Sequence, residues 1–142
     1  MSLTERDFLV LLFGASRGVL ESETRLQKLT FLGIREMGLQ KFTDFCWEKY
    51  GPLSQGIWRT SRKMQRQGLL RILEENKTTF MGDTYTIRTF KLTDKGNEVF
   101  FGTVKSHERE YDLIKRLLSK YGNLSLGRLL NYVHTAYSAN DF

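Results

Sequence analysis

Advanced at about 100° per residue, Gln55, Arg59, Arg62, Lys63 and Arg66 fall within a sector of about 100°, with Ile57, Ser61, Met64 and Gly68 on the other side. Such a helix has one dry face and one cationic face. No Asp or Glu occurs from Gly51 to Ile72, so these cations lack the carboxylates one turn away that accompany an ordinary solvated helix. Guanidinium and ammonium groups in this array suit phosphate oxygens and the O6 and N7 edge of guanine, and a glutamine suits adenine. Ser54, Gln55, Arg59, Arg62, Lys63 and Arg66 are therefore the candidate duplex-contacting residues. Lys77 joins them from a hairpin tip and Arg88 from its return strand.

The overall charge of +6 is concentrated around this segment. Residues 51–92 hold eight basic and three acidic side chains, whereas residues 1–50 hold seven of each and residues 93–142 hold seven and six. An excess confined to one stretch makes a patch. Other chemistries find no constellation. His107 and His134 are far apart and neither has a histidine one helical turn away, while Cys46 has no neighbouring histidine. The run Gly122 to Arg128 has the glycine spacing of a phosphate loop, but Arg128 and Leu129 replace the lysine and hydroxyl residue, and it follows a helix. We therefore expect no enzyme activity, no metal and no cofactor.

The elements that must position the basic helix are legible from caps and periodicity. Ser2 and Glu5 suggest a capping box for a first helix over about Thr4 to Ser16, with Phe8 to Phe13 as its buried face. A second helix starts near Glu21 to Glu23, carries Leu26, Leu29, Ile34 and Met37 on one stripe, and stops at Gly38. Arg25, Gln27 and Lys28 read as its solvated face. Phe42 to Tyr50 reads as a strand ending at the Gly51-Pro52 turn. Ser54 caps the basic helix and Gly68 closes it. Leu69 to Leu73 and Thr84 to Leu92 then form a hairpin, with a polar tip over Asn76 to Asp83. Tyr85 and Ile87 have the opposite parity to Phe90 and Leu92, which suggests a bulge or a sharp twist near Thr89.

Thr93 caps a long helix to about Tyr121, in which Phe100, Val104, His107, Tyr111, Ile114, Leu118 and Tyr121 form a heptad seam. This seam suggests a homodimer through Phe100, Val104, Tyr111, Ile114, Leu118 and Tyr121. Ser125 caps a last helix. The fold class is α+β and mainly α, with residues 1–96 as one unit and residues 97–142 as a C-terminal helical segment of the same domain. The lone Cys46 suits a reducing cytoplasm, and Phe8 to Phe13 is too short to span a bilayer.

Gly68-Leu69-Leu70, the hairpin, and Lys91-Leu92-Thr93-Asp94-Lys95-Gly96 resemble the "G-L-I … Y-x-L-T-x-K-G" signature of winged-helix regulators of the PadR and MarR type, over about residues 54–96. Arg25-Leu26-Gln27-Lys28-Leu29 followed by Tyr50-Gly51-Pro52-Leu53-Ser54 is similar to the YwgA-like prokaryotic group, and the first motif also to the Panacea antitoxin domain. With Leu130 to Tyr137, this second resemblance spans most of the chain. The resemblances imply a winged helix-turn-helix core, duplex DNA bound by Gln55 to Gln67, and dimerisation by the C-terminal helices. In an ordinary helix-turn-helix a 3–4-residue turn joins the two helices, whereas here residues 38–53 intervene. A protein-interaction module on the same fold, antitoxin-like or an assembly protein, is the alternative.

Overall fold

The computed structural model describes residues 2–142 as an α+β fold, mainly helical, with two small antiparallel sheets. Helix α1 (Glu5–Ala15) is followed by strand β1 (Val19–Glu21) and helix α2 (Glu23–Glu36). Strands β2 (Cys46–Glu48) and β3 (Gly51–Leu53) pair as a short hairpin leading into α3 (Gln55–Arg66). Strands β4 (Leu70–Thr78) and β5 (Thr84–Leu92) form the long hairpin, and α4 (Asp94–Ser106), α5 (Glu108–Tyr121) and α6 (Leu126–Ala136) follow, with a short 3-10 helix (Ala139–Asp141) after them.

Helix α1 is the centre of the core. All six residues from Phe8 to Phe13 are buried, so it is dry on every side, enclosed by α3, α4, α5 and β5. Its capping box is Thr4 with Asp7, two residues on from the Ser2 and Glu5 pair. Strand β1, absent from the sequence reading, pairs with β5 and gives the sheet order β1-β5-β4. The hairpin register runs residue for residue from Leu70 opposite Leu92 to Thr78 opposite Thr84, so there is no bulge at Thr89. The change of parity arises because the outer half of the hairpin leaves the core: Phe90 and Leu92 are buried, whereas Tyr85 is 50% exposed.

The long C-terminal helix is interrupted. His107 takes φ −139° and ψ 51°, serving as the C-cap of α4 and the N-cap of α5. The break folds α5 back onto α1 and α2, and His107 is buried with Nε2 3.4 Å from Asp7 Oδ2. It also corrects the dimer seam. Phe100, Ile114 and Tyr121 lie in this chain's own core, while Val104, Tyr111 and Leu118 are half-buried against it. Residues 97–142 thus share one hydrophobic cluster with residues 2–96.

One polar node ties the C-terminal helices to α2. The Glu36 carboxylate accepts hydrogen bonds from the hydroxyls of Tyr121, Tyr132 (2.7 Å) and Tyr137 (2.5 Å), with Lys120 Nζ 3.7 Å away. Burial pushes the Glu36 pKa up, but the three hydroxyls and Lys120 outweigh it, so the carboxyl titrates below its usual range. A depressed carboxylate stabilises the fold above its unfolded pKa of about 4.5, and that contribution is lost as pH falls through the folded value. Burial and Glu36 raise Tyr121 and Tyr137, whose contributions hold below about pH 10 and fade only as they ionise above it. Glu36→Gln is expected to cost about 1–2 kcal/mol at pH 7. In acid, the stability difference between parent and variant should shrink, as measured by urea unfolding from pH 7 to pH 3. A difference that does not change with pH contradicts the assignment.

Candidate nucleic-acid interface

Helix α3 is fixed at both ends. At its start Ser54 is completely buried, and its hydroxyl accepts from Ile57 N at 3.1 Å as the N-cap. Gln27, also buried, pairs with both backbone groups of Ser54: its Nε2 donates to the carbonyl at 3.0 Å and its Oε1 accepts the N–H at 2.8 Å. Next to it Lys28 Nζ donates to the Pro52 carbonyl at 2.9 Å. Burial pulls the Lys28 ammonium down to about 8, and Glu23 offsets part of the effect. Thr43 Oγ1 donates to Glu5 Oε2 at 2.6 Å, so the 2.6 Å contact between Thr43 and Ser54 has the Ser54 hydroxyl as donor. Glu5 Oε1 accepts from Thr60 on α3 at 3.0 Å.

At its other end α3 closes in the left-handed turn that only glycine enters freely: Gly68 has φ +78°, Gly68 N donates to Gln65 O and Leu69 N to Met64 O. Helix α4 locks this turn. Thr93 Oγ1 donates to the Gly68 carbonyl at 2.6 Å, Thr93 N to Leu69 O at 3.1 Å and Lys95 Nζ to Gln67 O at 3.2 Å. A Cβ on Gly96 would lie 2.1 Å from the Leu69 carbonyl oxygen, so the first turn of α4 can sit there only with glycine.

Between these anchors Ile57, Ser61 and Met64 face the core, and Gln55, Arg59, Arg62, Lys63 and Arg66 are exposed. Among the described residues, none of these four cations has a carboxylate within 4.0 Å. Arg62 stands 5.4 Å from the ring centroid of the half-buried Trp58. Arg6, which sequence spacing had no means to connect with α3, lines the same surface hollow as Lys63 and is exposed.

The other sequence candidates are placed differently. Ser54 is a buried cap, not a contact residue. Lys77 is paired with Glu75 at 2.9 Å. Arg88 is held by Glu23 at 3.0 Å and Glu74 at 3.3 Å, with its guanidinium 4.7 Å from the Trp58 ring centroid. Gln27 and Lys28, assigned by their polarity to a solvated face, are buried.

Gln27→Leu leaves two buried Ser54 backbone groups unpaired and is expected to cost on the order of 3 kcal/mol. Arg62→Ala, on the exposed face, is expected to change stability by less than about 0.5 kcal/mol. Urea unfolding of the two variants checks this, and a Gln27→Leu protein as stable as the parent refutes the role given to the clasp. No family model, no curated protein and no solved structure matches the chain.

Proposed function

We propose that the chain binds double-stranded DNA through the outer face of α3, on a winged helix-turn-helix core, as a transcription regulator. The observation that carries this reading is the rigidly seated array of Arg59, Arg62, Lys63 and Arg66, exposed and without a carboxylate partner among the described residues. The element order α1-β1-α2-α3-β4-β5 and the sheet order β1-β5-β4 suit a winged core. The β2-β3 hairpin stands as an insertion between its second and third helices. The contact set is narrower than the residue pattern alone implied. Gln55 and the four cations of α3 remain, with Arg6 added, whereas Lys77 and Arg88 are neutralised by their own carboxylates.

If the four α3 cations each neutralise a phosphate, log K falls against log salt with a slope of about −3.6 per chain, and Arg59→Ala with Arg62→Ala makes it shallower by about 1.8. Mobility shifts on random duplexes from 50 to 200 mM salt measure both. Binding indifferent to salt, or to the double substitution, overturns the reading.

The tip of the β4-β5 hairpin favours a second reading, a protein-interaction module. Phe80 is 104% exposed and Met81 83% exposed, with the tip held by Thr79 N to Asp83 O at 2.7 Å. Absence of duplex binding at low salt, together with a partner lost on Phe80→Ser, would support it. Homodimerisation is a separate proposal and rests on what the core leaves available: the half-buried Val104 and Tyr111, and Phe101, which is 64% exposed. Light scattering is expected to give a dimer that Phe101→Glu dissociates. A monomeric parent at high concentration overturns the dimer. A reducing cytoplasmic setting is proposed on Cys46, which is free and exposed. No helix among the described residues is long and apolar enough to cross a membrane.

A further inference from the structure

Three buried side-chain polar atoms have no hydrogen-bond partner among the described residues: Ser16 Oγ, Arg25 Nη1 and His107 Nδ1. The first two belong to residues lining one cleft of about 490 Å³, between the end of α1, β1, the start of α2 and the α5–α6 turn at Gly122 and Asn123. Arg17 lines the same cleft. It sits at φ +62°, in the left-handed position after α1 where glycine is the usual occupant, with Gly18 N donating to Phe13 O and Arg17 N to Gly14 O. Glu21 also lines the cleft, yet neither Arg17 nor Arg25 has a carboxylate within 4.0 Å among the described residues.

A buried guanidinium N–H and a buried hydroxyl are costly to leave unpaired, and two of the three such atoms among the described residues belong to side chains that line one opening. A guanidinium fork matches the two oxygens of a carboxylate or phosphate, and a serine hydroxyl donates to either. We propose that this cleft binds a small ligand through an oxyanion head group, with Arg25 and Ser16 as the inner donors and Arg17 closing over it from the rim. The site is separate from the outer face of α3. Glu5 at the start of α1 touches α3 through Thr60, and the cleft lies at the other end of that helix, roughly 16 Å away at 1.5 Å per residue. The inference therefore stands whether or not α3 binds DNA.

The test is a titration of the ¹⁵N-labelled full chain with sodium phosphate, and separately with sodium acetate, at constant ionic strength made up with chloride. Amide and arginine Nε–Hε resonances are followed. Saturable shifts are expected at residues 15–18, 25 and 122–123. Arg25→Gln should weaken the dissociation constant about tenfold, the loss of a charged hydrogen bond. Saturation by phosphate alone identifies phosphate monoesters as the ligand class, and saturation by acetate as well extends it to carboxylates. No saturable shift with either anion overturns the site, as do shifts confined to Arg59–Arg66. If Arg25→Gln does not fold, Arg17→Gln replaces it, because Arg17 is exposed. An unchanged dissociation constant in the variant that folds overturns the assignment.

Discussion

The Gln27 side-chain amide closes both backbone groups of Ser54, 27 residues away, in a place from which water is excluded. A primary amide carries its donor and its acceptor on two separate atoms, so the Gln27 side chain meets the carbonyl and the N–H of one residue at the same time. The cost of breaking it is asymmetric: the pair contributes modestly when made, but each buried group left open is expensive. Its position gives it leverage. Ser54 is the N-cap of α3, so the amide of α2 fixes where α3 begins, and Lys28 holds the preceding turn through Pro52. The Arg25-Leu26-Gln27-Lys28-Leu29 and Tyr50-Gly51-Pro52-Leu53-Ser54 motifs are the two halves of this clasp.

The same arrangement separates the charges. Glu5, the acid bound to α3, lies on its inner side, where its oxygens are taken by Thr43 and Thr60. Glu23 and Glu74 are used by Arg88. These three carboxylates are thereby engaged elsewhere, and the exposed cations of α3 keep their field. An isolated array of this kind is unfavourable in the free protein through mutual repulsion and is relieved by a polyanion.

How much of this was legible depends on what each residue signals locally. Ser54, Gly68, Thr93 and Ser125 act through caps and turns, which are sequence-local, and each ends or starts a helix where its type suggests. The wheel of α3 was legible because its faces differ in residue type. Strand β1 was not, because three residues, Val19 to Glu21, show no period and form a strand only through β5. The break at His107 carries no glycine or proline, and it exists because α5 packs back on α1 and α2. Gln27 and Lys28 misled because polarity reports exposure only when no buried partner is available. Their partners, Ser54 and Pro52, are distant in sequence.

The residues 37–54 between α2 and α3 would, as a free loop, leave α3 loosely oriented against its neighbour. The clasp removes that freedom. Gln27 and Lys28 join α2 to the residues just before α3, Thr43 joins the middle of the insertion to Glu5 on α1, and Thr60 joins α3 to the same carboxylate. The long connection therefore adds a surface, the β2-β3 hairpin, without loosening the relation between α2 and α3. With Lys77 neutralised by Glu75 of its own strand and Arg88 by Glu23 of α2 and Glu74 of β4, affinity for a polyanion would come from α3 itself, and the hairpin would contribute shape and its apolar tip. That division is the reverse of a design in which a weakly held helix is steered by a cationic wing.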